Sequence, residues 1–157
     1  EMVIRDWSSD VCSSDLVSAS INHDLVFNQF DKQFMAGAWN TSQIGAIIRG
    51  FVDSTGNFDR AYVVPSPHWV DTRLVGINAG FPTKDYALWP DQFNQLTIDE
   101  GEKLVILKPD NQEALDLLKM MFPNGTLYNY DSGFVGKDFY IYHISPVIIH
   151  EGSSKVP

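Results

Sequence analysis

His68, Trp69, Asp71, Arg73 and Asn78 stand close together in the stretch "VVPSPHWVDTRLVGINAG". A cation, an anion and an indole at this spacing offer a charged clamp beside a flat apolar platform. Such a set can bind a sugar or another polar small molecule. The stretch starts where the β-branched run "RAYVVP" is stopped by a proline. It therefore lies beyond the carboxyl end of a strand, where open α/β sheets hold their ligands. A plainer chemistry competes and is the commoner fate of such residues. In it, Asp71 caps the next helix or pairs with Arg73, and Trp69 packs as a lid over the sheet.

Other constellations carry less. His68 and Asp71 are spaced as two metal ligands would be, but no third lies nearby in sequence, so no metal is assigned. Ser66 and His68 are too close along the chain for a nucleophile and its base, and no nucleophile elbow is present. The chain has no Walker loop and no Gly-x-Gly-x-x-Gly, so no cofactor is implied. Asp99, Glu100 and Glu102 read as a solvated entry to a strand rather than a glycosidase pair. His143, beside Tyr142, reads as structural. Asn40-Thr41-Ser42 and Asn124-Gly125-Thr126 match the glycosylation triplet, which is frequent by chance. No catalytic residue is assigned.

The elements that position these residues follow from periodicity. His23 to Trp39 is helix-like, with Phe27, Phe30, Phe34 and Ala38 on one face. "NTSQIGAIIRGFVDSTG" is a second helix, capped by Thr41 or Ser42, buried through Ile44, Ile47, Ile48, Phe51 and Val52, and ended by Gly56. "RAYVVP" is a buried strand. "WVDTRLVGINAG" is a helix ending at Gly80, and "KDYAL" a second short strand. "EKLVILKP" is apolar on both faces and suits a central strand covered on both sides. "DNQEALDLLKMMFPNG" is a helix capped by Asp110, with Ala114, Leu117, Leu118 and Met121 facing inward. "GTLYNYDS" and "KDFYIYHISP" alternate at period two and form an antiparallel hairpin. The expected fold class is α/β: a three-layer α/β sandwich with a largely parallel central sheet and a C-terminal antiparallel hairpin as its edge.

The first sixteen residues, "EMVIRDWSSDVCSSDL", show no period that suits a helix or strand. A signal peptide needs a basic start and an unbroken apolar core, and aspartates interrupt every apolar run here. Asp6 to Leu16 resembles the conceptual translation of a sequencing adapter, so residues 1–16 are set aside as non-native and expected to make no packed contacts. The resemblance implies that the parent gene is cut at this point. The domain plan is then a lead-in helix at 17–39, a soluble α/β domain at 40–146 and a frayed tail at 147–157.

Residues 1–16 contain the only cysteine, Cys12, so no disulfide, zinc site or thiol nucleophile remains to be argued. They hold four of the 20 acids and one of the 11 bases, which leaves sixteen acids, ten bases and a formal charge of −6. An acidic chain without a Lys/Arg cluster argues against nucleic acid and against docking on anionic lipid. A hydrophobic content of 44% with 20% charge suits a globular domain. No apolar run approaches the roughly 20 residues of a membrane span.

The order of motifs is itself informative. An aromatic helix leads to "AWNTSQIGAIIRGFV", then "AYVVPSPHWVDTRLVGINAG", "DYALWP", "LVILKPDNQEALDLLKMMFPNG" and a closing "GKDFYIYHI". Over residues 20–145 this resembles the C-terminal soluble domain of polytopic membrane glycosyltransferases of the protein-mannosyltransferase-like family. The resemblance implies a parent enzyme in the cell membrane, with this domain extracytoplasmic, that moves a sugar from a polyprenyl-phosphate donor. In that family the catalytic carboxylates lie near the first membrane helix, outside the residues matched, so the fragment is expected to be accessory. Its expected partner is the N-terminal transmembrane region of the same polypeptide, with a sugar or acceptor as a further candidate. Phe27, Phe30 and Phe34 would then meet that membrane part or its interface; the simpler expectation is that they fill the core of this domain. The alternative from a different class is a freestanding sugar- or small-molecule-binding module that uses the Pro65–Arg73 loop.

Overall fold

Alternating stripes of apolar residues have to be buried somewhere, and where they are buried differs between the two units of the chain. The computed structural model describes residues 8–37 and 39–146, with side-chain surroundings at 14–34 and 39–146. The chain divides into units Glu1–Ala38 and Trp39–Pro157.

The first unit is one helical run: α1 (Ser8–His23), a π-helical segment (Asp24–Phe30) and α2 (Asp31–Gly37). Helix thus extends into the N-terminal stretch that shows no helical period. Periodicity reports burial rather than backbone geometry, and a helix that buries nothing leaves no apolar period to read. Ser14 to Leu16 are exposed, as are all residues to Phe34. The wide π turn brings Asp24 within reach of two amides. Asn28 Nδ2 donates to it at 2.8 Å and Gln29 Nε2 at 2.7 Å, which holds its carboxyl below the usual range. Rings four residues apart meet in pairs, His23 with Phe27 at 4.8 Å and Phe30 with Phe34 at 6.2 Å.

The expectation that the phenylalanines fill a core is corrected here. Phe27, Phe30 and Phe34 are 65%, 64% and 60% exposed. Among the described residues, their unit has no second element to bury them. Ala38 lies outside the described residues, as does the tail at 147–157.

The second unit opens with α3 (Thr41–Thr55), whose buried stripe is Ile44, Ile48, Phe51 and Val52. Fully burying each isoleucine contributes about 1.5–3 kcal/mol. Gly56, at φ +72°, ends the helix, its N–H reaching Val52 O at 2.7 Å. Asn40, not Thr41 or Ser42, holds the N-cap position, and its side chain makes no cap bond. Its amide turns instead to Lys137 O at 2.5 Å.

Four strands follow: β1 (Ala61–Val63), β2 (Lys103–Leu107), β3 (Thr126–Tyr130) and β4 (Phe139–Ile144), in the order β1-β2-β4-β3. The protein is therefore mixed α/β, with β2 inside the sheet as its two apolar faces predict. β1 pairs with β2 in parallel, Ala61 opposite Leu104 and Val63 opposite Ile106. The β2–β4 and β3–β4 pairs are antiparallel, with Val105 and then Leu127 both opposite Tyr142.

A largely parallel sheet is not what forms. "KDYAL" adds only a parallel bridge from Ala87 to Val63. β4 takes an inner place because it has apolar residues to bury on both faces, Phe139 on one and Tyr142 and Ile144 on the other. β3, exposed along nearly its whole length, is left at the edge.

The buried residues gather into two clusters. α3 and α4 (Thr72–Asn78) pack with Ala61, Val63, Leu104, Ile106 and Phe139. α5 (Gln112–Met121) and a 3₁₀ helix at Pro90–Thr97 pack with Val105, Leu107, Tyr142 and Ile144. Asn111 caps α5, its side chain accepting from Ala114 N at 3.2 Å. Asp110 stands one residue too early to do so and pairs with Lys108 Nζ at 2.8 Å.

Candidate functional site

The Pro65–Asn78 segment does follow the carboxyl end of β1, but its candidate side chains other than His68 are used within the fold, the buried Trp69 Nε1 alone finding no hydrogen-bond partner among the described residues. Trp69 is 3% exposed and packs edgewise on Phe139, ring centroids 6.5 Å apart. Asp71 caps α4, its Oδ1 accepting from Arg73 N at 2.9 Å and Leu74 N at 3.3 Å. Arg73 reaches across to Asp85 at 3.5 Å with its side chain 83% exposed. Burial raises the Asp85 carboxyl, but bonds from Thr72, the Ala87 N–H and Arg73 outweigh it and hold it below the usual range.

Asn78 donates to Leu74 O at 2.9 Å. It sits where α3 and α4 meet: a Cβ on Gly45 would come within 2.5 Å of Asn78 Cβ, so only glycine fits at 45. His68 is exposed and held at φ +57°, a left-handed conformation that non-glycine residues seldom adopt. The structure brings Asp71 to the backbone of Arg73, and Arg73 to Asp85. It leaves Trp69 inside the core and His68 in solvent.

The opposite end of the sheet is different. A cavity of about 690 Å³ opens beside the start of β2 and the end of β4, lined among others by Leu96, Asp99, Glu100, Lys103, Phe122, Gly125 and Ile144. Gly125 makes room on one wall: a Cβ there would meet the Tyr142 ring at 2.4 Å. Tyr142 Oη donates to Phe122 O at 2.6 Å, and burial pushes its phenol above the usual range. This hydrogen bond ties the end of α5 to β4 and so fixes the apolar wall.

The polar wall is built on Arg60 and the 99–103 turn. Asp99 accepts from the Gly101 N–H at 2.9 Å and from Arg60 through both guanidinium edges, Nη2 to Oδ1 at 3.0 Å and Nε to Oδ2. The Gly101 N–H and Arg60 hold the Asp99 carboxyl below the usual range. Lys103 is 2% exposed, and its ammonium donates to the carbonyls of Gly101, at 2.8 Å, and Asp99. Burial lowers its pKa, with Asp99 pulling the other way.

His143 Nε2 meets Glu102 Oε1 at 2.5 Å. His143 lies opposite Leu104, one residue out of phase with Lys103, so it stands on the other face of the sheet. The acids that read as a solvated entry to a strand are thus each given a partner or a cavity wall. The overlooked signal was Lys103 itself, a charge flush against the apolar run "LVIL".

Among the described residues, no three His, Cys, Asp or Glu side chains group as a metal site requires. No described helix is long and apolar enough to cross a membrane. Comparison with protein-family models, with curated proteins and with solved structures gives no match.

Proposed function

We propose that this chain carries an accessory extracytoplasmic domain of a polytopic membrane glycosyltransferase, one that uses a polyprenyl-phosphate-linked sugar and whose catalytic membrane part is encoded upstream. In this reading the second unit is a three-layer α/β sandwich and performs no chemistry itself. The observation that carries it is the first unit. Phe27, Phe30 and Phe34, with Leu25 and Val26 beside them, expose a run of large apolar side chains. Runs of that kind mark surfaces that meet another protein segment or a membrane interface. The motif order over residues 20–145 supports the same reading.

A freestanding module that binds sugar through Pro65–Arg73 is the weaker alternative, because Trp69 is buried and offers no ring face to a ligand. Reading the gene upstream of residue 17 tests the proposal. A multi-spanning segment in frame is the expected result, and a gene without one removes the reading.

A further inference from the structure

Lys103 is the one charged side chain that is buried among the described residues. A buried lysine is ordinarily paired with a carboxylate, since taking an ammonium out of water costs more than neutral hydrogen bonds return. Lys103 is 2% exposed, yet its hydrogen bonds run only to the carbonyls of Asp99 and Gly101. The Asp99 carboxylate is spoken for: it is held by Arg60 and by the Gly101 N–H. Lys103 also lines the cavity, together with Leu96, Met121, Phe122 and Ile144. Here, then, are a buried lysine whose ammonium has donated two of its three N–H groups, apolar side chains beside it and room for a small molecule. The same cavity is lined by two acids, Asp99, which Arg60 neutralises, and the exposed Glu100. A second negative charge on a ligand would meet it unfavourably.

We infer that the cavity at the start of β2 binds an amphipathic monoanion, a single carboxylate on an apolar body, with its head on the Lys103 ammonium and its body against Phe122, Met121 and Leu96. The inference rests on Lys103 and the cavity and does not depend on the proposed parent enzyme.

Calorimetric titration of the 157-residue chain with octanoate, methyl octanoate and octylammonium tests it. Octanoate is expected to bind saturably and about tenfold or more tighter than the uncharged ester, the margin of a charge-assisted hydrogen bond. Lys103→Met should erase that margin and leave the weak binding of the ester unchanged. Ser145→Trp, at the exposed mouth of the cavity, should weaken both ligands while sparing the ammonium; its thermal melt reports whether the fold is intact. Equal binding of octanoate and its ester overturns the inference. So does tighter binding of octylammonium, which would make the acidic side chains decisive, or no saturation by any of the three up to about 10 mM. An octanoate preference that survives Lys103→Met overturns it as well.

Discussion

The two ends of the sheet hold similar residue types and put them to opposite uses. Beyond the carboxyl end of β1, an indole, an acid and a base are consumed by folding: Trp69 fills core, Asp71 caps a helix and Arg73 holds Asp85. At the start of β2, two acids and a base, Asp99, Glu100 and Lys103, line about 690 Å³ of open space, with Arg60 holding Asp99 from behind. Composition does not separate the two ends. What separates them is space: the first end is filled by the buried Trp69, whereas the second opens on a cavity. Asp71 bonds two and three residues ahead, so its local structure is complete without a ligand. Asp99 is bonded within its own turn by the Gly101 N–H and also by Arg60, 39 residues away, and the hydrogen bonds of Lys103 go to carbonyls alone.

The sharpest way to break this contrast is Trp69→Ala. If the indole is core, its loss opens a cavity against Phe139 and costs about 3–5 kcal/mol in urea unfolding. A loss below about 1 kcal/mol would mean that the ring is dispensable to the fold, and would return the Pro65–Arg73 loop to candidacy as a binding site.

Tyr86 gives a second test at the same end. Its carbonyl accepts from Val63 N at 2.8 Å, so it belongs to the margin of β1. Its hydroxyl is buried with no hydrogen-bond partner among the described residues, and burial, helped by Asp59, pushes the phenol up to about 12. A buried donor without a partner costs more than the ring gains from it, so Tyr86→Phe should stabilise the fold by about 1–2 kcal/mol. In the unfolded chain the phenol ionises near 10.0, and in the folded chain near 12. Across that window the folded state holds the extra proton, so stability is full below pH 10 and falls toward pH 12. Tyr86→Phe should remove that alkaline fall. A substitution that destabilises instead would show that the hydroxyl does structural work at this end.

What was legible in the sequence follows a division between what an element carries itself and what distant segments supply. The strand "KLVIL" and the helix "QEALDLLKMM" are where their periods place them, because each element carries its own burial pattern. The hairpin is also local, and it forms. Its position in the sheet is not local: β4 lies between β2 and β3 because it has two apolar faces to cover, which decides the mixed topology. The phenylalanines of the first unit show the limit of periodicity from the other side. Phe27 and Phe30 look like a core stripe, yet a stripe only states what must be covered, not by what. The cavity was illegible because its walls come from the 96–103, 121–125 and 144–146 segments, which no motif or spacing links.

The smallest effect, and the one that bears most directly on the buried charge, is the pH dependence that Lys103 confers. In the unfolded chain its amine keeps a proton up to its ordinary value of 10.5, whereas burial makes the folded chain release it at a lower pH. Between those two values the unfolded state binds more protons, so this group's contribution to stability rises with pH and is lost as pH falls through the folded value. Urea midpoints taken from pH 7 to 10.5 should therefore climb more, or fall less, in the wild-type chain than in Lys103→Met. The two ends of the sheet then titrate in opposite senses: the Lys103 contribution grows as alkali is added, and the Tyr86 contribution shrinks. A bound monocarboxylate would stabilise the ammonium and so push the Lys103 rise to higher pH. If octanoate leaves the profile where it was, while binding calorimetrically, the anion is seated away from Lys103 and the two ends of the sheet are more alike than their geometry implies.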